Sequence, residues 1–559
     1  MKPKELKDLW NPEYFSESDL GAAERMKLLM DLGLLKTHLM FVEDEMNPKM
    51  GEWFVYEKPV WKVASVNFLK GLVDLMVRYV KESAKEAFKA SSDIIKKNYT
   101  NEKELKEKMK GTTEKTINFA KKFARTYNSE HGVANALKAF QRLAPHKSGT
   151  EFFDADDWKL NVKNGYLDLR TGVLEQHKPE HYCRKLFNAS YSTVDPNFYN
   201  TEFLPYMLSF FPASPEMMTY ISKVLGYGLT GDTSEQKIFF LYGSGKNGKS
   251  AFTNLVFGTW GNYGGIVPTS VLLSSKGDGS GEAPTPQIDR LEGLRLVLAH
   301  EVPTSLRKIN EERIKTLTGD AAITTRTLFQ GGHTWRPKMK IVLDLNDIPE
   351  VTDPTSVSLR RRIRPISFSA FFQKGNDKYM HLENDERYRD ALLKFAFDGL
   401  KLRGENHIDN WTGDWNDKQG LIAPVLKALR EYYGNCDTIS QLFEEILIVT
   451  RNPEDFMTVT RMYEVFRNEY GTSMTLKSFA QKVKVILTEK GCSYAVRHDG
   501  WSRGRGYIGV RVRDDEEDIS GLHDNVINTK GTDISSNEEL HNSIPETDIF
   551  ESSIADLHS

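Results

Sequence analysis

The sequence predicts a multidomain α/β protein built around a mainly parallel sheet, and three observations carry that expectation. At 559 residues the chain is too long for one hydrophobic core and suits about three or four domains of roughly 150 residues. Strand-like apolar runs recur at Ile238–Tyr242, Leu294–His300, Met339–Leu345 and Ile363–Phe368, separated by helical stretches such as Ile309–Thr318. Strands alternating with helices favour parallel pairing. The first of these runs leads straight into Gly243-Ser244-Gly245-Lys246-Asn247-Gly248-Lys249-Ser250, the G-x-x-x-x-G-K-S pattern in its required strand–turn–helix setting.

In that pattern the backbone N–H groups of a glycine turn, with the start of the helix that follows, line a cavity for β- and γ-phosphates. Gly243 and Gly248 permit the turn, Lys249 reaches the phosphates, and the Ser250 hydroxyl is placed to ligate Mg²⁺. Ala251-Phe-Thr-Asn-Leu-Val-Phe257 continues as the helix. The expected ligands are ATP and Mg²⁺.

Composition bounds the rest. The aromatic share of 11% supports folded cores. No apolar run approaches the ~20 residues of a membrane helix, and the Met1-Lys-Pro-Lys-Glu-Leu start lacks a signal-peptide core. Three scattered cysteines, Cys183, Cys436 and Cys492, make no disulfide framework or zinc site and fit the cytoplasm of a bacterial host. The net charge of −3 conceals an asymmetry. Residues 514–559 hold 13 acids against one base, Lys530, so the preceding 513 residues carry 74 bases and 65 acids, or +9. A modestly basic body thus precedes an acidic, Ser/Asn-rich tail expected to be disordered.

Along the chain, residues 1–150 read mainly as helix, with Lys81–Arg125 dense in Lys, Glu and Ala. Mixed charge of that kind is a solvated helix face. From Glu151 to about Thr193 short strands and turns take over, with Asn164-Gly165 and Gly172 marking turns. Residues 200–232 return to helix before the phosphate-loop strand. Ser274-Ser-Lys-Gly-Asp-Gly-Ser-Gly281 has the composition of a surface loop.

Triphosphate cleavage also needs a carboxylate near metal and water, a polar group that senses the γ-phosphate, and a cation for transition-state charge. Arg295-Leu-Val-Leu-Ala-His-Glu301 ends an apolar strand in an acid, and Lys340-Ile-Val-Leu-Asp-Leu-Asn346 ends another in Asn346. Both belong at the carboxyl edge of a parallel sheet, beside the phosphates. Arg360-Arg361-Arg362 precedes the next strand and suits an arginine finger acting on a neighbouring subunit. Asp344 lies on the face of Asn346 and receives no catalytic role.

This ordered set resembles the superfamily 3 helicases, in particular the phage/plasmid and poxvirus-type primase–helicases. The resemblance rests on Gly243–Ser250, Arg295–Glu301, Lys315-Thr-Leu-Thr-Gly-Asp320 with Arg326, Asn346-Asp-Ile-Pro349 and Arg361-Arg362 before Ile366-Ser-Phe368. Upstream, Glu52-Trp-Phe-Val-Tyr56 with Trp61, and Asn164–Gly172, resemble that family's accessory domain. The resemblance implies an AAA+-like ATPase core and an ATP-dependent replicative helicase of a phage, plasmid or mobile element. It would translocate 3′→5′ on single-stranded DNA as a hexameric ring, with a primase or other replication proteins as partners. Where relatives often carry a second acid in the metal motif, His300 precedes Glu301, leaving Mg²⁺ to Ser250 and water, with Glu301 as base or outer ligand. The implied division is an accessory domain over 1–200, an ATPase domain with collar helices over 201–400, a helical linker over 401–435, a winged helix over 436–513 and the tail over 514–559.

Two segments are expected to hold DNA. Residues 323–340 have β-branched runs around Gly331-Gly332, a hairpin signal. The resemblance implies that this hairpin enters the ring channel, with Arg326, His333, Arg336 and Lys338 as candidate phosphate contacts, while Trp335 either packs the base or stacks. Farther on, 441–450, 461–470 and 476–489 read as three helices before a hairpin, 492–498 and 507–512, whose wing carries Arg497, Arg503 and Arg505. That order suits a winged helix on duplex DNA. Rival readings are a primase–helicase using Asp154-Ala-Asp156 for nucleotidyl transfer, with a surface turn favoured there, and an origin-binding initiator that uses ATP only to assemble.

Overall fold

A four-stranded sheet sits inside the N-terminal region that the sequence reads as mainly helical. The computed structural model describes residues 5–35, 37–44, 51–212, 214–243, 246–269, 272–274, 286–300, 308–319, 321–326, 332–345, 349, 351, 356–372, 381–404, 407–412, 420–436, 439, 442–450, 452–470, 475–500 and 503–513. The expected 274–281 loop lies almost wholly outside these residues, and the acidic tail lies wholly outside them. The chain divides into two units, Met1–Asp437 and Thr438–Ser559.

In the first unit, helix α1 (Asp19–Asp31) leads to strands β1 (Leu39–Glu43), β2 (Gly51–Glu57) and β3 (Val60–Val63). Helices α2 (Val66–Asn98), α3 (Glu102–Thr113), α4 (Phe119–Tyr127) and α5 (Glu130–Phe140) follow, and β4 (His146–Ser148) completes the sheet in the order β3-β2-β1-β4. The Lys/Glu-rich texture of α2–α4 dominates the sequence there, hiding a meander whose cue is the aromatic and β-branched run Trp53-Phe54-Val55-Tyr56. Ser65 starts α2 by accepting the Phe68 N–H at 3.1 Å. Leu72, Val73, Met76, Val77 and Val80 then bury one stripe in a core shared with Phe41 and Trp53. Each such side chain contributes about 1.5–3 kcal/mol on burial.

Short antiparallel strands β5 (Lys159–Val162), β6 (Gly165–Asp168) and β7 (Leu174–Glu175) fall where the glycine turns place them. Two helical turns, α6 (Pro196–Phe198) and α7 (Leu204–Leu208), precede α8 (Glu216–Leu229). The α/β layer then runs β8 (Ile238–Tyr242), α9 (Lys249–Trp260), β9 (Gly264–Pro268), β10 (Leu273–Ser274), α10 (Pro286–Asp289), β11 (Leu296–His300), β12 (Lys308–Ile309), α11 (Glu311–Thr318), β13 (Ile323–Arg326), β14 (Gly332–Trp335), β15 (Lys340–Leu345), α12 (Val357–Arg360) and β16 (Ile363–Ser367), closing with α13 (Glu386–Arg403) and α14 (Ala423–Cys436).

Five of these strands form one sheet in the order β16-β8-β15-β11-β9, and every pair is parallel. All four anticipated strands are in it. The fifth, β9, escapes sequence reading because it is an edge: Gly264-Gly265 and Pro268 flank Ile266, which is 69% exposed. Phe239, Leu241, Val342 and Ile366 face Ile221, Val224, Phe252 and Val256 of α8 and α9. On the other face Phe240 meets Tyr432 of α14 edge-on at 5.9 Å. Helices therefore cover both faces, as an all-parallel sheet requires.

Helices α8 and α13 pack backbone to backbone. A Cβ on Gly226 would lie 2.6 Å from the Ala396 carbonyl oxygen, and one on Gly399 would run into the Ser222 carbonyl. Gly399→Ala is expected to lower stability by about 1–3 kcal/mol through overpacking, read as a reduced denaturant midpoint.

The second unit has strands β17 (Leu447–Val449), β18 (Phe456–Thr458), β19 (Tyr494–His498), β20 (Arg503–Ile508) and β21 (Val510–Val512), with helices Val459–Tyr470 and Leu476–Glu489. Two of the three expected helices are present. The third, 441–450, is a five-residue π-helical turn, Leu442–Ile446, running into β17, whose Leu447-Ile448-Val449 run pairs with β21. The β-branched pair Ile448-Val449 in that strand outweighs helical spacing there.

Candidate functional site

Strand β8 ends at Tyr242 and α9 begins at Lys249, so the intervening turn lies at the carboxyl edge of the sheet, between β16 and β15. There the chain leaves in opposite directions on either side, which is where open parallel sheets take ligands. Ser244 and Gly245 lie outside the described residues. Lys246 and Gly248 both have positive φ, 51° and 82°, and alternation of that kind turns successive N–H groups toward one concavity.

The turn is held from below by aromatic rings. A Cβ on Gly248 would stand 2.5 Å from Phe210 Cε1 and 2.8 Å from Phe372 Cε2. Phe372 N–H donates to the Lys246 carbonyl at 2.8 Å, and the Asn247 amide donates to the Phe368 carbonyl at 3.4 Å. The segment after β16 therefore braces the loop, a support that the motif alone does not reveal.

Lys249 is buried, and its ammonium donates to the carbonyls of Leu345 at 2.5 Å and Gly243 at 3.2 Å. It also stands 3.5 Å from the Asp344 carboxylate, with both side chains 6% exposed. Asp344, given no role from sequence, is thus a direct neighbour of the phosphate-loop lysine. The register sets His300 of β11 opposite Asp344 of β15. Glu301 and Asn346, each the residue next after its strand, lie outside the described residues. Ser250 is the second residue of α9 and is exposed. The glycine cradle, the buried ammonium and the helix start fit a triphosphate with its Mg²⁺. Among the described residues no cluster of three or more His, Cys, Asp or Glu could hold a metal by itself.

The opposite, amino edge of the sheet gathers cations. Arg362 is buried and donates to Ser358 O (2.9 Å), Ser358 Oγ (2.8 Å), Gln236 Oε1 (2.8 Å) and Thr318 Oγ1 (3.3 Å). Burial, then the neighbouring Arg361, pulls its pKa down to about 10. Arg361 is half-buried and donates to Gln236 Oε1 at 2.6 Å. Arg364 makes two 2.7 Å bonds to Asp409, which also accepts from Lys237 at 3.0 Å. Arg295 caps the carboxyl end of α8 at the Leu229 carbonyl and reaches Asp156 O (3.1 Å) and Lys159 O (2.6 Å). Its positive charge answers the negative end of the helix dipole.

The DNA candidates fall into two groups. Strands β13 and β14 form the expected hairpin, pairing Arg326 with Gly332 and Thr325 with His333, and residues 327–331 between them lie outside the described residues. Arg336 is exposed just beyond it. Trp335 packs the hairpin base, donating to Thr325 Oγ1 at 3.2 Å. Lys338 is occupied within the chain, 2.7 Å from the Asp157 carboxylate and bonded to the Asp154 and Ala155 carbonyls. In the second unit β19 and β20 form a hairpin whose register puts Arg503 and Arg505 opposite His498 and Val496. Arg497, Arg503 and Arg505 are all exposed. They lie on the strands rather than in the loop between them.

The carboxylates at 154–157 are engaged locally. Asp154 accepts backbone N–H bonds from Arg184 and Lys185, Asp156 caps Trp158 N–H at 2.9 Å, and Asp157 pairs with Lys338. They form a braced turn.

Residues 44–225 match the family described as D5 N terminal like. The chain is similar to the protein named "Putative helicase L207/L206" of Acanthamoeba polyphaga mimivirus, 24% identical over 345 residues, covering 58% of this chain and 34% of that protein. It is also similar to "Primase D5" of Fowlpox virus, 25% identical over 263 residues, covering 43% of this chain and 32% of that protein. The chain thus spans about a third of the length of these relatives. Among solved structures, the apo C-terminal region of NrS-1 aligns with 87% of this chain and 98% of its own, at 11% identity and a TM-score of 0.40. The likeness is thus to viral proteins named helicase and primase. No helix among the described residues is long and apolar enough to cross a membrane.

Proposed function

We propose that this chain is the motor of an ATP-dependent DNA helicase of the superfamily 3 type, working as a ring, with a hexamer expected. The observation that carries the reading is Lys249, buried at the carboxyl edge of an all-parallel sheet between the Leu345 carbonyl and the Asp344 carboxylate. In this reading the turn 243–250 binds Mg·ATP, Glu301 polarises the attacking water, Asn346 aligns it, and Asp344 holds the lysine in place. In this reading the substrate is DNA at a replication fork, which fits viral relatives named helicase and primase. The braced turn at 154–157 favours a motor without nucleotidyl transfer.

Arg361 and Arg362 stand at the amino edge of the sheet, away from their own phosphate loop, so any contact with ATP is with that of a neighbouring copy. Arg361, half-exposed, is the finger in this proposal, and Arg362 braces the strand beneath it. Arg361→Ala is expected to lower ATP turnover by about 10³-fold or more with assembly intact. Arg362→Ala leaves Ser358 and Thr318 without its bonds and Gln236 with Arg361 alone, at a cost of about 1–3 kcal/mol of stability. Turnover and chemical denaturation of the two variants separate the roles. The reading as a whole is tested by strand displacement: ATP turnover should rise with single-stranded DNA and a paired strand should be released. Assembly on ATP without unwinding would favour an initiator instead.

A further inference from the structure

Within the region that matches the D5 N terminal like family, a cleft of about 700 Å³ opens between α1, the meander β1–β3 and the 179–182 turn. Its chemistry differs from that of the phosphate loop. His38, Tyr56, Trp61 and Tyr182 line it, with the Trp61 and Tyr182 rings 6.4 Å apart and 21° from parallel, Tyr56 and Trp61 5.6 Å apart, and His38 edge-on to Tyr56. Trp61 is the fixed wall: it is 4% exposed, and its indole N–H is bonded to the Pro179 carbonyl at 2.8 Å. His38 is exposed, and Tyr56 and Tyr182 are half-exposed.

Two further observations point to an occupant. The Tyr56 hydroxyl is buried and has no hydrogen-bond partner among the described residues, an unmet bond that a bound polar group would supply. Lys58 lines the cleft, and the Lys147 ammonium lies 5.2 Å from the Tyr182 ring, while Asp31 and Glu180 add acids to the lining. Rings with an unmet polar atom and two flanking cations suit a stacked base with its phosphate outside. The acids disfavour a free polyphosphate.

We propose that this cleft takes unpaired bases of a single-stranded nucleic acid, stacked on Tyr56 and Tyr182 and hydrogen-bonded to the Tyr56 hydroxyl, with Lys58 and Lys147 at the backbone. The volume fits one or two nucleotides. The proposal rests on the DNA reading above and adds a second contact surface, on the accessory region, that holds the strand through its bases whatever their sequence.

Fluorescence anisotropy on the full chain tests it with labelled oligothymidylate and an abasic strand of the same length. The parent should bind the base-bearing strand more tightly. Tyr182→Ala should weaken that binding about 5- to 150-fold, and Tyr56→Phe, which removes one atom and keeps the ring, about 2- to 10-fold, with neither changing affinity for the abasic strand. Parent-like binding of oligothymidylate by Tyr56→Phe and Tyr182→Ala, or equal losses on both strands, overturns the cleft as a base site. A parent that binds neither strand overturns the DNA reading itself.

Discussion

Replacing Lys249 with alanine is expected to abolish ATP turnover and strand displacement and, separately, to destabilise the fold. The activity loss follows from the lysine's reach to the transferred phosphate, whose developing charge it neutralises. The stability loss follows from Asp344. Its carboxylate, 6% exposed and 3.5 Å from the ammonium, would keep a buried charge without its counterion, a cost of about 3–5 kcal/mol. The double variant Lys249→Ala/Asp344→Asn removes that charge and should recover most of the stability with none of the activity. Denaturant midpoints and steady-state turnover on the three proteins check both halves. A single variant as stable as the parent would mean that the pair contributes nothing to the fold.

Asp409→Asn is expected to be the most damaging change far from the phosphate loop. Asp409 is the carboxylate that answers both Arg364, fully buried, and Lys237, 7% exposed. Removing its charge strands two buried cations, at about 3–5 kcal/mol. The same residue sets an acid dependence. Burial pushes its pKa up, but the charges and hydrogen bonds of Arg364 and Lys237 prevail and hold it at about 2, against 3.8 unfolded. Between those values the unfolded chain binds more protons, so stability is present above about pH 4 and is lost as pH falls toward 2, by about 2 kcal/mol from this group. Urea titrations across that window should show the loss in the parent and a flatter profile in Asp409→Asn.

Lys237 behaves oppositely. Burial, reinforced by Arg364, lowers its pKa to about 8 from 10.5. Its charged form is the costly one, so this group's contribution to stability rises from pH 8 to 10.5.

Sequence carried the α/β layer well because its signals are local. Bulky runs such as Ile238-Phe-Phe-Leu-Tyr242 can be little else than buried strands, and a glycine turn after one of them fixes where the phosphate loop lies. The N-terminal meander was obscured because strands of 4 to 7 residues lie beside a 33-residue charged helix, and window averages follow the helix. Edge strand β9 has too few bulky residues to register. The partnership of Lys249 with Asp344, the ring shelf of Phe210 and Phe372 and the burial of Arg362 depend on segments tens to more than a hundred residues apart meeting in space, for which a single sequence carries no signal. One cue was available for Asp344: an acid inside a largely apolar central strand needs a partner, and the lysine that opens the helix after the adjacent strand is the obvious one.

The most direct test of the central claim is the mass of the particle formed by full-length chain with ATP and single-stranded DNA, measured alongside strand displacement. The account predicts a closed assembly near six times the 63.8 kDa protomer, with unwinding confined to that species. A particle that remains at one protomer mass while still separating duplexes would contradict it.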